Sequence, residues 1–375
     1  MAPLRRSRIL IVDDSAVMRS LLRSVIATDP GLEIAGTAAD GASALHAISL
    51  NAPDLVLLDV EMPVMDGLMT LGQLRSRGHK MPVIMCSSLT QRGAKVTIEA
   101  LAIGASDYVA KPSGQAGREA AASALTQELI PKIHALTGSP QSLAAHRLAP
   151  RPAPADLPLP VLAPSPSSPP RIVAIGVSTG GPAALDVVLP ALPAEFPLPI
   201  VIVQHMPEVF TALFAERLNR RCRIQVCEGS EGEPIKPGVA YIARGNWHMQ
   251  VVASALAGKP ATIHLNQGPP ENHCRPAVDV LFRTVTGVYN SGVLAVVLTG
   301  MGSDGFAGCR LIRSRGGSVL AQDEATSTVW GMPGAVVQAG LAHKVLPLHG
   351  MAQEILRIAG RAARTETRTP APMVA

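Results

Sequence analysis

Apolar residues along this chain fall into two alternating patterns, and the alternation itself predicts an architecture. Runs such as Ile9-Leu10-Ile11-Val12, Leu55-Val56-Leu57-Leu58 and Val83-Ile84-Met85-Cys86 are short, continuous and mostly branched. Such runs read as strands buried on both faces of a parallel sheet. Residues 33–38 and 108–110 add two more strands to the first third of the chain. Between the strands lie stretches of helical period. Val17, Leu21, Leu22 and Val25 would share one helix face, residues 42–50 form a second helix, and residues 119–136 a helical exit. Strand alternating with helix predicts a doubly wound α/β domain.

The second half repeats the theme with polar residues at the run ends. Arg171-Ile172-Val173-Ala174-Ile175 leads into Gly176-Val177-Ser178-Thr179-Gly180-Gly181, and Pro199-Ile200-Val201-Ile202-Val203 into Gln204-His205. Val293-Leu294-Ala295-Val296-Val297-Leu298 leads into Thr299-Gly300-Met301-Gly302-Ser303-Asp304. Between the halves, prolines recur through residues 149–170, a composition that gives a stiff, extended spacer. The expected organisation is a first domain at 7–126, a helical exit and Pro-rich linker at 127–170, a second domain at 171–360, and a disordered tail at 361–375. The fold class is α/β, with two doubly wound parallel-sheet domains.

Composition narrows the function classes. With 375 residues, 47% of them hydrophobic and 16% charged, two packed cores are affordable. The five cysteines form no C-x-x-C pair, so reduced, packed thiols are expected. No apolar run is long enough to span a bilayer, and Asp13-Asp14 interrupts the one that follows the N-terminal arginines, which is no signal peptide. A cytoplasmic protein without membrane insertion is expected. The net charge of +5 raises nucleic acid as a partner, yet the arginines are scattered and aromatics make up only 3%. A DNA-binding regulator would also need a helix-turn-helix after the linker, where strands and Gly turns stand instead. No nucleic-acid partner is expected.

In the first domain, polar residues again cluster at strand ends: Asp13 and Asp14, Asp59, Ser87 and Lys111. Any one of them could be a helix cap or a solvated turn. Three carboxylates at one sheet edge, however, repel one another unless a hard divalent cation or a lysine compensates. These pieces resemble the response-regulator receiver family. The resemblance rests on Ile11-Val12-Asp13-Asp14-Ser15, Leu58-Asp59-Val60-Glu61-Met62-Pro63-Val64-Met65-Asp66-Gly67, Val83-Ile84-Met85-Cys86-Ser87 and Asp107-Tyr108-Val109-Ala110-Lys111-Pro112. It implies a flavodoxin-like domain with Asp59 as phosphoacceptor. It further implies Asp13, Asp14 and Asp59 as Mg²⁺ ligands, and Ser87 and Lys111 as phosphate sensors. Tyr108 falls where the family's switch aromatic sits, although an ordinary half-buried tyrosine would also fit.

In the second domain, Gly176-Val177-Ser178-Thr179-Gly180 fits the G-x-S-x-G turn that presents a nucleophilic serine. The motif also fits a Gly-rich turn capped by Ser178, or a dinucleotide loop, although Ser178 takes the place of that loop's middle glycine. His205 alone reads as a packed or capping histidine, and Asp304 alone as a first-turn residue of a helix over 304–315. Together they are the parts of a serine hydrolase, in an order unlike that of the α/β-hydrolases. His248, His264 and His273 lie among turn formers, and His343 and His349 follow the last strand-like run.

The second domain resembles the catalytic domain of chemotaxis protein-glutamate methylesterases. The matching residues are Ile175-Gly176-Val177-Ser178-Thr179-Gly180-Gly181-Pro182, Val203-Gln204-His205-Met206-Pro207, Leu298-Thr299-Gly300-Met301-Gly302-Ser303-Asp304-Gly305, Ala321-Gln322-Asp323-Glu324 and Gly331-Met332-Pro333. The resemblance implies a Rossmann-like domain with Ser178 as nucleophile, His205 as base and then acid, and Asp304 as orienting carboxylate. Backbone at Thr179 and Met301 would supply the oxyanion donors, with no cofactor in this domain. It implies hydrolysis of γ-glutamyl methyl esters, and deamidation of glutamines, on the cytoplasmic helices of methyl-accepting chemotaxis receptors. A histidine kinase would be the phosphodonor, the unphosphorylated receiver would cover the crevice, and the enzyme would act as a monomer. An adaptor whose hydrolase domain has lost activity is the rival that intact Ser178, His205 and Asp304 argue against.

Overall fold

The computed structural model describes residues 5–112, 117–138, 168–254, 256 and 258–366. The expected Pro-rich spacer at 149–170 lies almost entirely outside the described residues. The chain divides into two compact units.

The first unit runs β1 (Ser7–Val12), α1 (Ala16–Ile26), β2 (Leu32–Ala38), α2 (Gly41–Leu50), β3 (Leu55–Asp59), α3 (Gly67–Ser76), β4 (Val83–Ser87), α4 (Gln91–Ala102), β5 (Asp107–Ala110) and α5 (Arg118–Thr137). Its five strands are parallel in the order β2-β1-β3-β4-β5, the doubly wound arrangement expected. The residues of β3 and β4 are all buried, which is why those runs are continuously apolar rather than alternating. The predicted face of α1 needs one correction. Val17 is 79% exposed, and Met18 packs inward with Leu21, Leu22, Val25 and Ile26. Ser15 caps the helix by accepting from Met18 N, and the stripe at 18, 21, 22, 25 leaves Val17 a step outside it. The apolar pattern does not single out α3 and α4, whose spacing is diluted by glycines and polar residues.

The second unit runs β6 (Ile172–Val177), α6 (Gly181–Val188), β7 (Ile200–Gln204), α7 (Glu208–Arg221), β8 (Gln225–Glu228), β9 (Val239–Ile242), β10 (His248–Val252) and β11 (Thr262–Asn266). It continues with α8 (Val278–Tyr289), β12 (Val293–Val297), α9 (Phe306–Ser314), β13 (Ser318–Gln322), α10 (Met332–Gln338), β14 (Lys344–Leu346) and α11 (Leu348–Glu366). Seven parallel strands lie in the order β14-β13-β12-β6-β7-β9-β8. From β6 the chain winds outward through β7 to β9 and β8, then crosses back to β12 and winds the other way. The topological switch point, where parallel sheets open a crevice, therefore falls between β6 and β12. Strand β6 is buried along its whole length, with β7 on one side and β12 on the other.

Three expectations change in this unit. His248 and His264 sit on β10 and β11, which pair as an antiparallel hairpin rather than forming turns. Asp304 is not in a helical first turn, because α9 starts at Phe306. Gly305, at φ 91°, holds the left-handed geometry that breaks the chain there, and any Cβ on it would lie 2.8 Å from Val278 Cγ1. The last helix, α11, continues through Glu366, past the start of the expected tail at 361, and residues 367–375 lie outside the described residues. Among the described residues no helix is long and apolar enough to cross a membrane.

The α1 correction has a measurable consequence. Leu22→Ala is expected to cost about 2–5 kcal/mol of first-unit stability, as fully buried Leu deletions do. Val17→Ala should stay within about 0.5 kcal/mol. Amide hydrogen exchange across the first-unit sheet, in the full-length chain, measures both.

Candidate active site

Parallel register alone sets the framework of the hydrolytic site. Val177 pairs with Gln204 and Gly176 with Val297, so the residues just past β6, β7 and β12 emerge side by side. Backbone bonds carry that alignment beyond the strands. Ser178 N donates to Thr299 O at 3.0 Å, and His205 N to Val177 O at 3.3 Å. Thr299 Oγ1 is buried, accepts from Val329 N at 3.0 Å and donates to Thr179 O at 2.9 Å, tying the loops after β6 and β12 together. Gly300 must be bare, because a Cβ there would lie 2.4 Å from Met332 Sδ and 2.9 Å from Ser178 Cβ. Thr179 is buried, and among the described residues the N–H of half-buried Met301 has no hydrogen-bond acceptor. A free N–H beside the serine turn is what an oxyanion site requires.

Asp304 is the anchor. It is 3% exposed, and its carboxylate accepts from His205 Nε2 at 2.8 Å, Val278 N at 2.6 Å, Asp279 N at 3.0 Å, Gly305 N at 3.0 Å and Asn272 Nδ2 at 2.9 Å. The helix terminus that stabilises this anion is that of α8, whose first amides point at it, and not that of α9. Burial pushes the Asp304 carboxyl up, but these donors outweigh it and hold it below the ordinary aspartate value. Beside it, burial raises Asp279 to about 6, opposed by the hydrogen bond from Gly308 N. For His205, burial favours the neutral ring. The hydrogen bonds with Asp304 and Cys274 overcome that and raise it to about 9.

The structure thus brings His205 and Asp304 into direct contact and sets Ser178 on the adjoining strand end. It does not join Ser178 to His205: among the described residues the Ser178 hydroxyl makes no side-chain hydrogen bond. The other ring nitrogen, Nδ1, lies instead 3.6 Å from Cys274 Sγ. Cys274, Asn272 and Asp279 were not legible as site residues from spacing. The available signal was the unbroken polar run Glu271-Asn272-His273-Cys274-Arg275 ahead of an apolar helix. In that run, Asn272 and His273 take φ of 52° and 62°, a left-handed pair that turns the chain back on itself.

In the first unit the five predicted residues meet at the carboxyl ends of neighbouring strands. Val12 pairs with Leu58 and Asp59 with Cys86, which levels Asp13 with Asp59 and sets Ser87 one residue beyond them on the next strand. Lys111 Nζ lies 2.8 Å from Asp13 Oδ2 and 2.7 Å from Asp59 Oδ1. Burial raises the Asp59 carboxyl to about 6 against the pull of Lys111. Ser87 is fully buried with its hydroxyl donating to Ser88 O at 3.2 Å. Tyr108 is buried on β5, its carbonyl accepting from Lys132 Nζ at 2.6 Å. One carboxylate oxygen from each of Asp13, Asp14 and Asp59 lies within 4.8 Å of the others. An all-oxygen anionic set of this kind fits a hard cation such as Mg²⁺.

Comparison with known proteins assigns a family to each unit. The family model for the response regulator receiver domain matches residues 9–122, and the model for CheB methylesterase matches residues 173–355. A protein-glutamate methylesterase/protein-glutamine glutaminase of Trichodesmium erythraeum is 48% identical over 359 residues, covering 94% of this chain and 99% of that protein. A protein of the same name from Nocardioides sp. is 47% identical over 356 residues, covering 93% and 94%. The solved CheB methylesterase catalytic domain of Thermotoga maritima is 41% identical, with a TM-score of 0.49, covering 51% of this chain and 100% of that one. With a receiver domain preceding a hydrolytic domain along nearly the full length of such relatives, this chain belongs to the protein-glutamate methylesterase/protein-glutamine glutaminase family.

Proposed function

We propose that the second unit removes methyl esters from γ-glutamyl side chains of chemoreceptor helices, releasing methanol, and deamidates receptor glutamines at the same site. The observation that carries this reading is the anchored pair at the switch point: His205 Nε2 bound to buried Asp304 at 2.8 Å, one strand from Ser178. Asp304 holds the imidazole in one tautomer and stabilises its cation. With Nε2 engaged, Nδ1 is the nitrogen that takes the Ser178 proton as Oγ attacks the side-chain carbonyl. The tetrahedral oxyanion then draws on N–H groups at Thr179 and Met301. Collapse transfers the proton to methanol or ammonia as it leaves, and water resolves the acyl-serine by the reverse sequence. An exposed receptor helix suits this site, whose Ser178 and His205 are only partly buried past the strand ends.

Control belongs to the first unit in this reading. Asp59 accepts a phosphoryl group from a histidine kinase, with Asp13 and Asp14 completing the cation site and Lys111 and Ser87 meeting the added charge. When bound, Mg²⁺ would neutralise charge on the transferred group. Tyr108 would report the change to neighbouring surfaces, so that phosphorylation raises the activity of the hydrolytic unit. The enzyme acts in the cytoplasm as a monomer, with domain limits near 7–126 and 171–360.

Methanol release from methylated receptor is the decisive assay. Ser178→Ala and His205→Gln are each expected to lower turnover by about 10⁴-fold or more. Full activity in Ser178→Ala would overturn the mechanism. Asp59→Ala should respond to a small phosphodonor with no rise in rate, whereas wild type accelerates. The acid limb gives a separate check. His205 must be neutral to accept a proton, and its value is raised to about 9, so kcat/KM should climb with pH and level off only above that point. A profile already flat from neutral pH would show that the contacts with Asp304 and Cys274 do not raise the ring this far.

A further inference from the structure

Cys274 takes no bond-making step in the chemistry above, yet its sulfur sits on the ring nitrogen that the chemistry needs. The Nδ1 to Sγ separation is 3.6 Å, while Asp304 occupies Nε2. The thiol is also firmly placed. Glu271 and Cys274 exchange backbone hydrogen bonds of 3.0 and 2.9 Å across a tight turn. Arg283 grips Glu271 at 2.5 and 2.6 Å, and Arg275 reaches Asn246 Oδ1 at 2.6 Å, fixing the turn on both flanks. Cys274 is half-buried, within reach of small solutes.

We propose that Cys274 is a modification site controlling the hydrolase: its thiol shares the base with Ser178, and oxidation of that thiol shuts the esterase off. The proposal rests on the esterase reading given above. The oxidant named is hydrogen peroxide. Its O–O bond breaks as a new S–O bond forms, so the thiol becomes a sulfenic acid and the peroxide leaves as water. An S–OH group at this position places added bulk and a stronger hydrogen bond against Nδ1, holding the base away from the serine. A dithiol reductant restores the thiol.

The other cysteines do not compete for the reagent. Burial raises the thiols of Cys86 and Cys309 far above the ordinary range, and those of Cys222 and Cys227 to about 11. Cys274 alone among the described residues pairs with an imidazole, the arrangement that makes cysteines reactive.

The test uses the full-length chain as wild type, Cys274→Ala, Cys274→Ser and His205→Gln. Peroxide is expected to lower wild-type methanol release by about 100-fold or more, the lower bound for an obstructed general base, with recovery in dithiothreitol. Each Cys274 variant should keep its own rate unchanged by peroxide, and having two of them guards against a packing defect in either. Mass-mapped labelling with N-ethylmaleimide should modify Cys274 about tenfold more slowly in His205→Gln. Equal peroxide sensitivity in the Cys274 variants, a resistant wild type, or labelling indifferent to His205 would each overturn the proposal. Untreated wild type that releases no methanol would instead overturn the esterase reading, and the labelling result would still decide the thiol–imidazole pair.

Discussion

A carboxylate taken out of water must recover the lost solvation from fixed donors, and Asp304 shows how much structure that demands. The two leading amides of α8, the amide of Gly305, the amide group of Asn272 and the ring of His205 all converge on its two oxygens. A buried charge is costly with any donor missing, so each of those elements is held to its place by the others. The carboxylate therefore positions the imidazole, the start of α8 and the loop before α9 at once. Ser178 enters the same arrangement from the neighbouring strand, through Thr299 and bare Gly300.

The receiver half solves a related problem with opposite chemistry. Its buried Asp13 and Asp59 have a lysine between them rather than a ring of backbone amides, and Asp59 is pushed up to about 6 rather than down. One anion is stabilised permanently, as an orienting group should be. The other is left under-stabilised, as would suit the proposed phosphoryl acceptor with a cation beside it. In both cases the parallel sheet does the gathering, because all its strands end on one edge.

That shared rule explains how much was legible beforehand. Fully buried strands announce themselves as unbroken apolar runs, so β1, β3, β4, β6, β7 and β12 stand out, and with them the residues that follow. Ser178, His205, Asp304, Asp59 and Lys111 stood out as polar residues after such runs, though each alone had a bland reading and only their combination and the family resemblance gave them roles. Elements with one exposed face were harder. The hairpin of β10 and β11 hides among prolines and glycines, and Val17 looked like core until the phase of α1 placed Met18 there instead. The partners of Asp304 were illegible for another reason. Asn272 and Cys274 reach the site through a left-handed turn, and no periodicity encodes where such a turn points.

The strand order has a consequence for biosynthesis. His205 and its carboxylate are 99 positions apart, and β12, the strand leading to the carboxylate, can pair with β6 only after the hairpin and α8 have been made. A chain emerging from the ribosome thus carries its alcohol and its imidazole long before either has an orienting partner. Nascent polypeptide lacks the His205–Asp304 contact until position 304 has been made, and products truncated before it never acquire it.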